Sequence, residues 1–359
     1  MKKKILGSIV IAAAVLAGCS SATKESSSSG AFPTKAKGPL NLYNWTDYID
    51  PAMLEEFTKE TGITVNLSTY DSNETLLAKL QAGGGDGYDV IVPSDYMVVQ
   101  MIDLKLIEKV EPAKFPNGKN LEKSFADVYW DKGRAYTVPY MYGTTGISVN
   151  TKQVKTLPKS WKDFFNPTNE AAGKIGLLND QVEVLHAALR AVGAKECSEN
   201  KADYQKVQDM MAAFKPKLQV INSDGVIERM GSGEQFMHMQ WNGATHRSKL
   251  ANADVTYVYP SDGLTLWADN LAIPTKAAHK DAAKIFLNWM MDPKVIAKAS
   301  NFTGYNNGIV GADAFMDAAL KSDPAVVPSA GDKALARAVA PCSKAAVDLY
   351  DQVWTKFKT

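Results

Sequence analysis

The region from residue 39 to residue 93 alternates between segments with the pattern of a strand and segments with the pattern of a helix. The first helix is clearly delimited, because Asp50 and Pro51 suit its N-cap and first turn and Gly62 suits its end. Strands that alternate with helices predict an α/β fold built on a parallel sheet with helices on both faces. The predicted elements, strand and helix in turn, cover residues 39–45, 51–61, 63–70, 73–82 and 88–93.

The second half of the chain has the same α/β character and follows a long extended stretch. Residues 138–150 combine glycine and threonine with apolar residues, a pattern that suits a segment passing between two domains. With 359 residues the chain is long enough for two domains that share an extended surface. Further strand-like segments are predicted at 174–179, 235–242 and 271–274, and further helices at 180–192, 202–214 and 281–291.

In a sheet of this kind, ligands bind in the crevice beyond the carboxyl ends of the strands. The first predicted strand leads into residues 45–48, WTDY, and the third leads into residues 94–96, SDY. We therefore expect these two loops, which are rich in aromatic and hydroxyl groups, to meet at one edge of the sheet.

Aromatic residues and carboxylates make up the candidate binding set. A small-molecule site combines apolar walls with a few polar groups that fix the orientation of the ligand. Rings that pack against methylene groups, together with carboxylates that meet ammonium groups, suit an elongated polycation such as a polyamine. The set consists of Trp45, Tyr48, Tyr96, Trp241, Trp267 and Tyr305 with Asp180, Glu183 and Asp269.

Several of these residues also have a purely structural interpretation. Asp180 and Glu183 have the spacing of a capping box ahead of an apolar helix, and this spacing taken alone favours capping. Trp267 and Asp269 would point to the same side of an extended chain, which suits one shared ligand and equally a surface loop. Trp289 lies on the apolar face of its predicted helix, so we assign it to the core.

The sequence lacks the common signatures of an enzyme. Its four histidines show no paired metal-ligand spacing, and no G-x-S-x-G nucleophile turn occurs. We therefore expect no catalytic residue, no cofactor and no metal. Two alternatives to a transport protein stay open on the residues alone. One is a secreted hydrolase that uses Asp180 and Glu183 as acid and base, and the other is a ligand sensor with the same fold.

The N-terminus has the pattern of a bacterial export signal. Three lysines at residues 2–4 precede an apolar run that is too short to span a bilayer. Residues 16–19 read LAGC, which resembles a lipobox, so we expect residues 1–18 to be removed and Cys19 to carry a lipid that anchors the protein to a membrane. The Ser-rich residues 19–37 are predicted to be a flexible tether, and the location is predicted to be the periplasm or the cell surface.

The charge of the chain argues against nucleic acid as a partner. The formal net charge is +1, and a mature chain that has lost the three signal lysines is near −2. Nucleic-acid binding normally needs a basic patch, whereas a mildly acidic chain suits a cationic ligand. Lipidation of Cys19 would leave only Cys197 and Cys342, and the sequence leaves open whether these two form a disulfide.

Six stretches of the sequence carry a family resemblance: NLYNWTDYI, FTKETGITVNLSTYDSNETLLAKL, YDVIVPSDY, PYMYGTTGISVN, MQWNG and WADNLAIP. From about residue 39 to the C-terminus, the chain resembles the periplasmic spermidine/putrescine-binding proteins of bacterial ABC importers. The resemblance implies a two-lobed type II periplasmic binding protein fold, in which each lobe is a central sheet flanked by helices and the ligand lies in the cleft between the lobes. The first lobe would take residues 38–146 and 269–312, and the second would take residues 147–268 and 313–359.

The same resemblance implies a function. The protein would be a monomer that captures polyamines, spermidine before putrescine, and delivers them to the permease subunits of an ABC transporter. Relatives that prefer spermidine tend to carry the residues found here as Thr46, Tyr96, Asp180 and Trp267. A glutamine that contacts the ligand in the family falls near Ala340, so this chain departs from the family there. The ligand contacts carried over are Trp45, Thr46, Tyr48, Ser94, Tyr96, Asp180, Glu183, Ser223, Trp241, Trp267, Asp269 and Tyr305.

Overall fold

One mixed β-sheet runs through the part of the chain that the structure describes, residues 31–359 of a computed structural model. Its eleven strands are ordered β2-β1-β3-β9-β4-β7-β5-β6, and in addition β8 and β10 pair with β4 and β11 pairs with β9. Residues 33–359 form one compact unit. The strands are β1 (Leu40–Trp45), β2 (Val65–Tyr70), β3 (Val90–Ile91), β4 (Thr137–Asn150), β5 (Ile175–Leu177), β6 (Leu218–Ile221), β7 (Met237–Trp241), β8 (Val255–Val258), β9 (Leu264–Ala272), β10 (Asn306–Asn307) and β11 (Ala336–Arg337).

Helices connect these strands. The three helices predicted in the second half of the chain are confirmed as α6, α7 and α10, each within one residue at both ends. The helices are α1 (Pro51–Thr61), α2 (Asn73–Gln81), α3 (Asp95–Asp103), α4 (Lys123–Ala126), α5 (Trp161–Phe165), α6 (Gln181–Ala191), α7 (Lys201–Phe214), α8 (Val226–Gly231), α9 (Asn242–Ala251), α10 (Lys280–Met290), α11 (Pro293–Thr303), α12 (Ala318–Ser322), α13 (Ala330–Leu335) and α14 (Lys344–Lys358).

The predicted ends of the first helix are confirmed. Asp50 is the N-cap of α1 and accepts a hydrogen bond from the backbone N–H of Ala52, and Pro51 is the first helical residue. Gly62 ends the helix in the left-handed region with φ of 76°, a conformation that glycine adopts without a steric penalty. The apolar residues Met53 and Phe57 of this helix are buried, as the spacing predicts.

The prediction of a parallel sheet is right for part of the sheet and wrong for the whole. Strand β1 pairs in parallel with both β2 and β3, because a helix follows β1 and another follows β2. Strand β9, in contrast, pairs antiparallel with β3 and with β4. Strands β4 and β9 are the long strands that connect the halves of the molecule. No helical crossover joins one of them to the other, so they need not run parallel.

The third predicted strand is much shorter than residues 88–93. Only Val90 and Ile91 pair as β3, although a backbone hydrogen bond from Asn270 to Pro93 continues the contact with β9. The backbone carbonyl of Val92 accepts hydrogen bonds from Trp45 Nε1 at 2.9 Å and from Tyr70 Oη at 2.6 Å. The ends of the first strands are therefore tied together by aromatic side chains.

Strand β4 links two hydrophobic clusters. It is 14 residues long and buried at nearly every position, and it covers the stretch predicted to pass between domains. Its first half pairs with β9 beside the cluster that includes Ile91, Met97 and Ala272. Its second half pairs with β7 and β8 and contributes Ile147 to the other cluster. Two cores connected by long strands are the architecture that a two-lobed protein needs.

A disulfide holds the segment that precedes the last helix. Cys197 and Cys342 are joined, with an S–S distance of 2.05 Å and a Cα–Cα distance of 5.0 Å. The segment then runs back to β11, which pairs in parallel with the start of β9. We call residues 336–342 the C-terminal strap. Both of its ends are fixed, one by strand pairing and one by the disulfide.

The predicted signal peptide (residues 1–18), Cys19 and most of the predicted tether lie outside the described residues. The described part of the tether, residues 31–37, contains no helix or strand. Among the helices of residues 31–359, none is both long enough and apolar enough to cross a membrane.

Candidate functional site

All the ligand contacts predicted from the sequence line one cavity between the two hydrophobic clusters. The cavity is partly open to solvent, and the space between its walls, the adjoining open solvent included, is about 1020 Å³. It contains both the residues that follow β1 and β3 and the residues at the start of α6. The predicted residues that line it are Trp45, Thr46, Tyr48, Ser94, Tyr96, Asp180, Glu183, Ser223, Trp241, Trp267, Asp269 and Tyr305.

Asp269 is the centre of a polar network in the wall of the cavity. Its carboxylate accepts a hydrogen bond from Tyr48 Oη at 2.7 Å and another from Ser94 Oγ at 2.6 Å. Asn73 fixes Ser94 in turn, because its amide donates to Ser94 Oγ and its carbonyl accepts from the Ser94 backbone N–H. Burial raises the pKa of Asp269 to about 7, although both hydroxyl donors act in the opposite direction. A positive charge nearby would therefore stabilise the ionised carboxylate.

An aromatic wall stands beside this carboxylate. The ring centroids of Tyr48 and Tyr305 are 5.7 Å apart, and those of Trp267 and Tyr305 are 5.1 Å apart, both in edge-on arrangements. Trp267 and Asp269 both line the cavity from β9. The indole N–H of Trp267 is buried and has no hydrogen-bond partner among the described residues.

Two glycines leave the space that the rings of the aromatic wall occupy. Gly143 on β4 lies directly opposite Trp267 in the strand pairing, and a Cβ at this position would lie 2.7 Å from an indole carbon. A Cβ on Gly243, at the start of α9, would collide with the ring of Tyr305. Any larger residue at either position would therefore push a ring out of place.

A second pair of carboxylates lies at the start of α6. Asp180 is the N-cap of this helix and accepts a hydrogen bond from the Glu183 backbone N–H at 3.0 Å, so the capping interpretation is confirmed. Capping does not remove either side chain from the cavity, which both residues line. Ser223 supports the same corner by accepting a hydrogen bond from the Asn179 backbone N–H.

Burial disfavours the ionised form of these two carboxylates unless a cation lies beside them. It raises the pKa of Asp180 to about 6, and burial followed by the charge of Asp180 raises the pKa of Glu183 well above its usual value. The Oε2 atom of Glu183 is buried and has no hydrogen-bond partner among the described residues. The carboxylate thus has one acceptor atom that is left without a hydrogen bond among the described residues.

Carboxylates dominate the charge of the cavity. Four of those that line it are buried, and none of the four forms a salt bridge with a described residue. Arg247 is the single lysine or arginine in the described lining, and burial lowers the pKa of His186 to about 3, which keeps that imidazole neutral. A cavity of this character attracts cations and repels anions. The lining carboxylates are Asp47, Asp71, Asp95, Asp180, Glu183, Asp224, Glu228 and Asp269.

Of the acidic residues at or near the cavity that the sequence reasoning missed, three are buried or half-buried. Asp71 and Asp95 line it, and Glu74 accepts a hydrogen bond from Tyr96 Oη at 3.2 Å. Burial, and then the charge of Asp180, raises the pKa of Glu74 to about 8. The signal for Asp95 was present, because it stands between Ser94 and Tyr96. Glu74 and Asp71 flank the start of α2 and look like ordinary surface residues of a helix terminus.

Hydrogen bonds connect the two sides of the cavity. Asn179 donates from its side-chain amide to Asp71 Oδ2 at 3.0 Å, and Arg247 donates to the backbone carbonyl of Asp47 at 3.3 Å. Tyr129 Oη lies 3.0 Å from the carbonyl of Val339 in the C-terminal strap. Each bond joins a residue of the predicted first lobe to a residue of the predicted second lobe.

The C-terminal strap contains Ala340, near which the resemblance places a glutamine of the family. Val339 lines the cavity, whereas Ala340 is exposed and has no side chain that could donate a hydrogen bond. The strap therefore presents an apolar side chain and a backbone carbonyl to this part of the site.

Comparison with known proteins defines the class. The family model of bacterial extracellular solute-binding proteins matches residues 52–328. Spermidine/putrescine-binding periplasmic protein 1 of Haemophilus influenzae is 35% identical over 297 residues, which are 82% of each chain. The spermidine/putrescine-binding periplasmic protein of Escherichia coli is 34% identical over 294 residues, 81% of this chain and 83% of that one. A solved structure from Listeria monocytogenes, assigned to a spermidine/putrescine ABC transporter, has a TM-score of 0.84 at 30% identity and covers 90% of this chain and 99% of its own.

The chain therefore belongs to the bacterial extracellular solute-binding proteins. The resemblance to the spermidine/putrescine-binding proteins of ABC importers, drawn from the motifs, is confirmed, as is the type II periplasmic binding protein fold. Proteins of this class bind a substrate and release it unchanged, so the hydrolase alternative is wrong. The family also places the protein outside the cytoplasm, in the periplasm or at the cell surface.

Proposed function

We propose that this protein captures polyamines, spermidine before putrescine, and delivers them to the permease of an ABC importer. The observation that carries the proposal is the pairing of an aromatic wall with buried carboxylates that have no cationic partner in the described chain. The names of the relatives point to the same class of ligand.

The chemistry of the lining supports an elongated polycation in particular. Asp269 on β9 and Asp180 with Glu183 at the start of α6 line the same cavity as the aromatic rings. Each charge-assisted hydrogen bond to an ammonium group contributes roughly 1.5–3 kcal/mol, and a cation–π contact adds roughly 0.5–2 kcal/mol. Micromolar affinity needs only about −8 kcal/mol, so two or three such anchors are sufficient. In this proposal all twelve predicted contacts bind the ligand.

Closure of two lobes would couple capture to delivery. We take residues 38–146 with 269–312 as one lobe and residues 147–268 with 313–359 as the other. A ligand that touches carboxylates of both lobes binds the closed form better than the open form, which is the condition for shifting the population toward closure. The permease would then receive the closed and loaded protein.

A lipid on Cys19 would hold the protein at the membrane in this proposal. The lipobox-like residues 16–19 support the modification, and the Ser-rich residues after it supply a tether. Mass spectrometry of the protein purified from its native membrane fraction tests this directly. An N-terminus at Cys19 with a lipid-sized mass increase is expected, and an unmodified N-terminus at another residue would contradict the anchor.

Calorimetry tests the binding itself. The purified protein, titrated with spermidine and then with putrescine, is expected to bind both at micromolar concentrations or below, and spermidine more tightly. Glutamate, which has a similar size but carries carboxylates, serves as the control and is expected to give no heat of binding. Absence of heat with either polyamine at high micromolar concentration would contradict the proposed function.

A further inference from the structure

A histidine and the two disulfide cysteines form a cluster that is not among the predicted ligand contacts. His186 Nε2 lies 4.0 Å from Cys342 Sγ, and a ring nitrogen of His186 and the sulfur atoms of Cys197 and Cys342 all lie within 4.8 Å of one another. Imidazole and thiolate are ligands that Zn²⁺ prefers in proteins. The sequence spacing predicts no metal site here, because the two cysteines are 145 residues apart. The fold alone assembles the cluster.

The imidazole of His186 has little else to bind. The residue is 3% exposed, its Nδ1 has no hydrogen-bond partner among the described residues, and within residues 31–359 its Nε2 has no hydrogen-bond partner besides Cys342 Sγ. Buried polar groups normally have an oxygen or nitrogen partner, so this arrangement requires an explanation. Burial, and then the charge of Arg190, lowers the pKa of His186 to about 3, so one ring nitrogen keeps a free lone pair at neutral pH. A neutral imidazole is the form that binds a metal ion.

Other contacts hold the three residues together when the disulfide is absent. Tyr350 on α14 bridges two of them. Its hydroxyl accepts a hydrogen bond from the Cys197 backbone N–H at 3.1 Å, and its ring meets that of His186 edge-on with the centroids 5.9 Å apart. Ser343, the residue after the second cysteine, donates from Oγ to Glu199 Oε1 at 2.6 Å. Reduction of the disulfide therefore leaves both sulfur atoms close to the imidazole.

The spacing suits a tetrahedral metal ion after a small rearrangement. Metal–sulfur bonds of about 2.3 Å and a metal–nitrogen bond of about 2.0 Å place the sulfur and nitrogen atoms about 3.5 Å apart and the two sulfur atoms about 3.8 Å apart. The nitrogen–sulfur distance of 4.0 Å is already close to this value. The sulfur atoms, which are 2.05 Å apart in the disulfide, must separate, and rotation of a cysteine side chain about its Cα–Cβ bond allows this. Two thiolates balance the charge of a divalent cation, and the fourth position is left for water.

We propose that His186, Cys197 and Cys342 form a binding site for Zn²⁺ when the disulfide is reduced. This proposal goes beyond the proposed function and does not depend on it. The metal ion takes the place of the disulfide at one end of the C-terminal strap, whose other end stays paired with β9. The strap is then fixed at both ends in the reduced protein too, and Val339 keeps its place in the lining of the cavity.

Formation of the site from the oxidised protein needs a reductant, and a phosphine is suitable because it competes for Zn²⁺ less strongly than a thiol does. The phosphine takes an oxygen atom from water and becomes a phosphine oxide, while each sulfur atom gains one electron and one proton and the S–S bond breaks. Both cysteines are half-buried, so the reagent can reach them. The metal ion then displaces the two thiol protons into the solvent and bonds to both thiolates and to the imidazole, which loses no proton.

Co²⁺ is the spectroscopic probe for this site, because thiolate ligands give it a charge-transfer absorption that carboxylates do not. The unaltered protein, reduced with a phosphine under argon, is expected to bind one Co²⁺ with this absorption and a Kd of about 1 μM or tighter. Zn²⁺ should displace the Co²⁺. The oxidised protein should show no such absorption, even if Co²⁺ binds to the carboxylates of the cavity. Absence of the absorption in the reduced protein would overturn the proposal.

Single variants test each ligand. Cys197→Ser, Cys342→Ser and His186→Gln are each expected to weaken the binding of Co²⁺ by about 100-fold or more under reducing conditions. His279→Gln is the matched control, because it removes a histidine that is not part of the cluster, and it should leave Co²⁺ binding within about twofold. Unchanged binding in His186→Gln, or an equal loss in His279→Gln, would overturn the assignment of the imidazole.

Two measurements on the unaltered protein do not depend on how well a variant folds. X-ray absorption of the reduced protein with one equivalent of Zn²⁺ is expected to show two sulfur atoms at about 2.3 Å and an imidazole. Zn²⁺ should also raise the urea midpoint of the reduced protein more than that of the oxidised protein, because only the reduced form has the site. Coordination without sulfur or without imidazole, or an equal rise in both forms, would overturn the proposal. None of these measurements uses a polyamine, so their failure would leave the proposed function intact.

Discussion

Asp269 accepts hydrogen bonds from Tyr48 and Ser94 in a position with almost no contact with solvent. Burial raises its pKa to about 7, so at pH 8 the folded protein keeps an ionised carboxylate in an environment that favours the protonated form. We predict that Asp269→Asn makes the protein more stable at this pH and at the same time a weaker binder. Residues that serve binding at the expense of folding are expected to respond in this way.

The size of the stability effect follows from the shift in pKa. In the unfolded chain the carboxyl ionises near pH 3.9, so the shift to about 7 corresponds to about 4 kcal/mol at 1.36 kcal/mol per pKa unit. Because the folded pKa is the higher one, the stability contribution is complete below about pH 4 and is lost as the pH rises to about 7. Asparagine has no proton to lose, but it forfeits a hydrogen bond worth about 1 kcal/mol. The variant should therefore gain about 3 kcal/mol at pH 8 and much less at pH 5.

The expected loss of binding has a separate origin. The variant cannot form the charge-assisted hydrogen bond between Asp269 and an ammonium group, which is worth roughly 1.5–3 kcal/mol. Spermidine affinity at pH 8 should accordingly fall by about 10-fold to 150-fold. Asp47→Asn is the matched control. Asp47 also lines the cavity, but it is exposed and has φ of 56°, a conformation that asparagine accepts well.

Urea unfolding at pH 5 and pH 8, combined with calorimetry at pH 8, measures both effects. For Asp269→Asn the stability relative to the unaltered protein should rise between the two pH values by about 2–3 kcal/mol. Asp47→Asn should change stability by no more than about 0.5 kcal/mol at either pH. An Asp269→Asn variant whose stability shows the same pH dependence as the unaltered protein would refute the argument from burial. Equal losses of affinity in the two variants would refute the role of Asp269 in binding.

Three further predictions concern the aromatic wall, the disulfide and pH. Trp267→Ala should weaken spermidine binding more than Trp289→Ala, because Trp267 lines the cavity whereas Trp289 packs against Phe57 and Phe286 in the core. In urea unfolding, Trp289→Ala should be the more destabilising of the two and should lower the free energy of unfolding by about 3–5 kcal/mol. Reduction of the Cys197–Cys342 disulfide, which closes a loop of 145 residues, should lower the free energy of unfolding by about 2–5 kcal/mol, and an unchanged urea midpoint with reductant would contradict this. Spermidine affinity should fall as the pH drops from 7.5 to 6, by about eightfold from the protonation of Asp269 alone, and calorimetry across this range that shows constant affinity would contradict an ammonium at that carboxylate.

Local signals in the sequence were sufficient to predict the elements whose ends are marked by capping residues. The helix from Pro51 to Thr61 has a capping aspartate and a closing glycine, and the structure ends it at those residues. Strand β9 shows where such signals fail. It begins at Leu264 although the pattern predicted an extended segment only from residue 271, because Thr265 and Asp269 interrupt the apolar run. These polar residues line the cavity. Because the strand carries polar residues for the cavity, its sequence lacks the apolar pattern that identifies a buried strand.

Long-range geometry explains what the sequence could not show about the site. Asp95 and Glu74 lie in the first turns of helices, where acidic residues are common for electrostatic reasons alone. Their raised pKa values come from burial by segments distant in the sequence. Gly143 likewise looked like an ordinary residue of an extended segment, and only its pairing opposite Trp267 shows that the absence of a side chain is required there. Predicting these features needs the neighbours across the sheet and across the cavity.

In the proposed function, the arrangement of charge across the cavity would give a cation a direct role in bringing the two predicted lobes together. Asp95 and Asp269 come from one predicted lobe and Asp180 and Glu183 from the other, so bringing the lobes together concentrates like charges in a space of low polarity. Hydrogen bonds also join the two sides, such as that from Asn179 to Asp71, and each is worth only about 1–3 kcal/mol. A polycation between the carboxylates turns the repulsion into attraction, and it does so only when both lobes are in contact with it. The energy that favours closure is then supplied by the charge of the ligand, and an apolar or anionic molecule of the same size should fail to close the lobes.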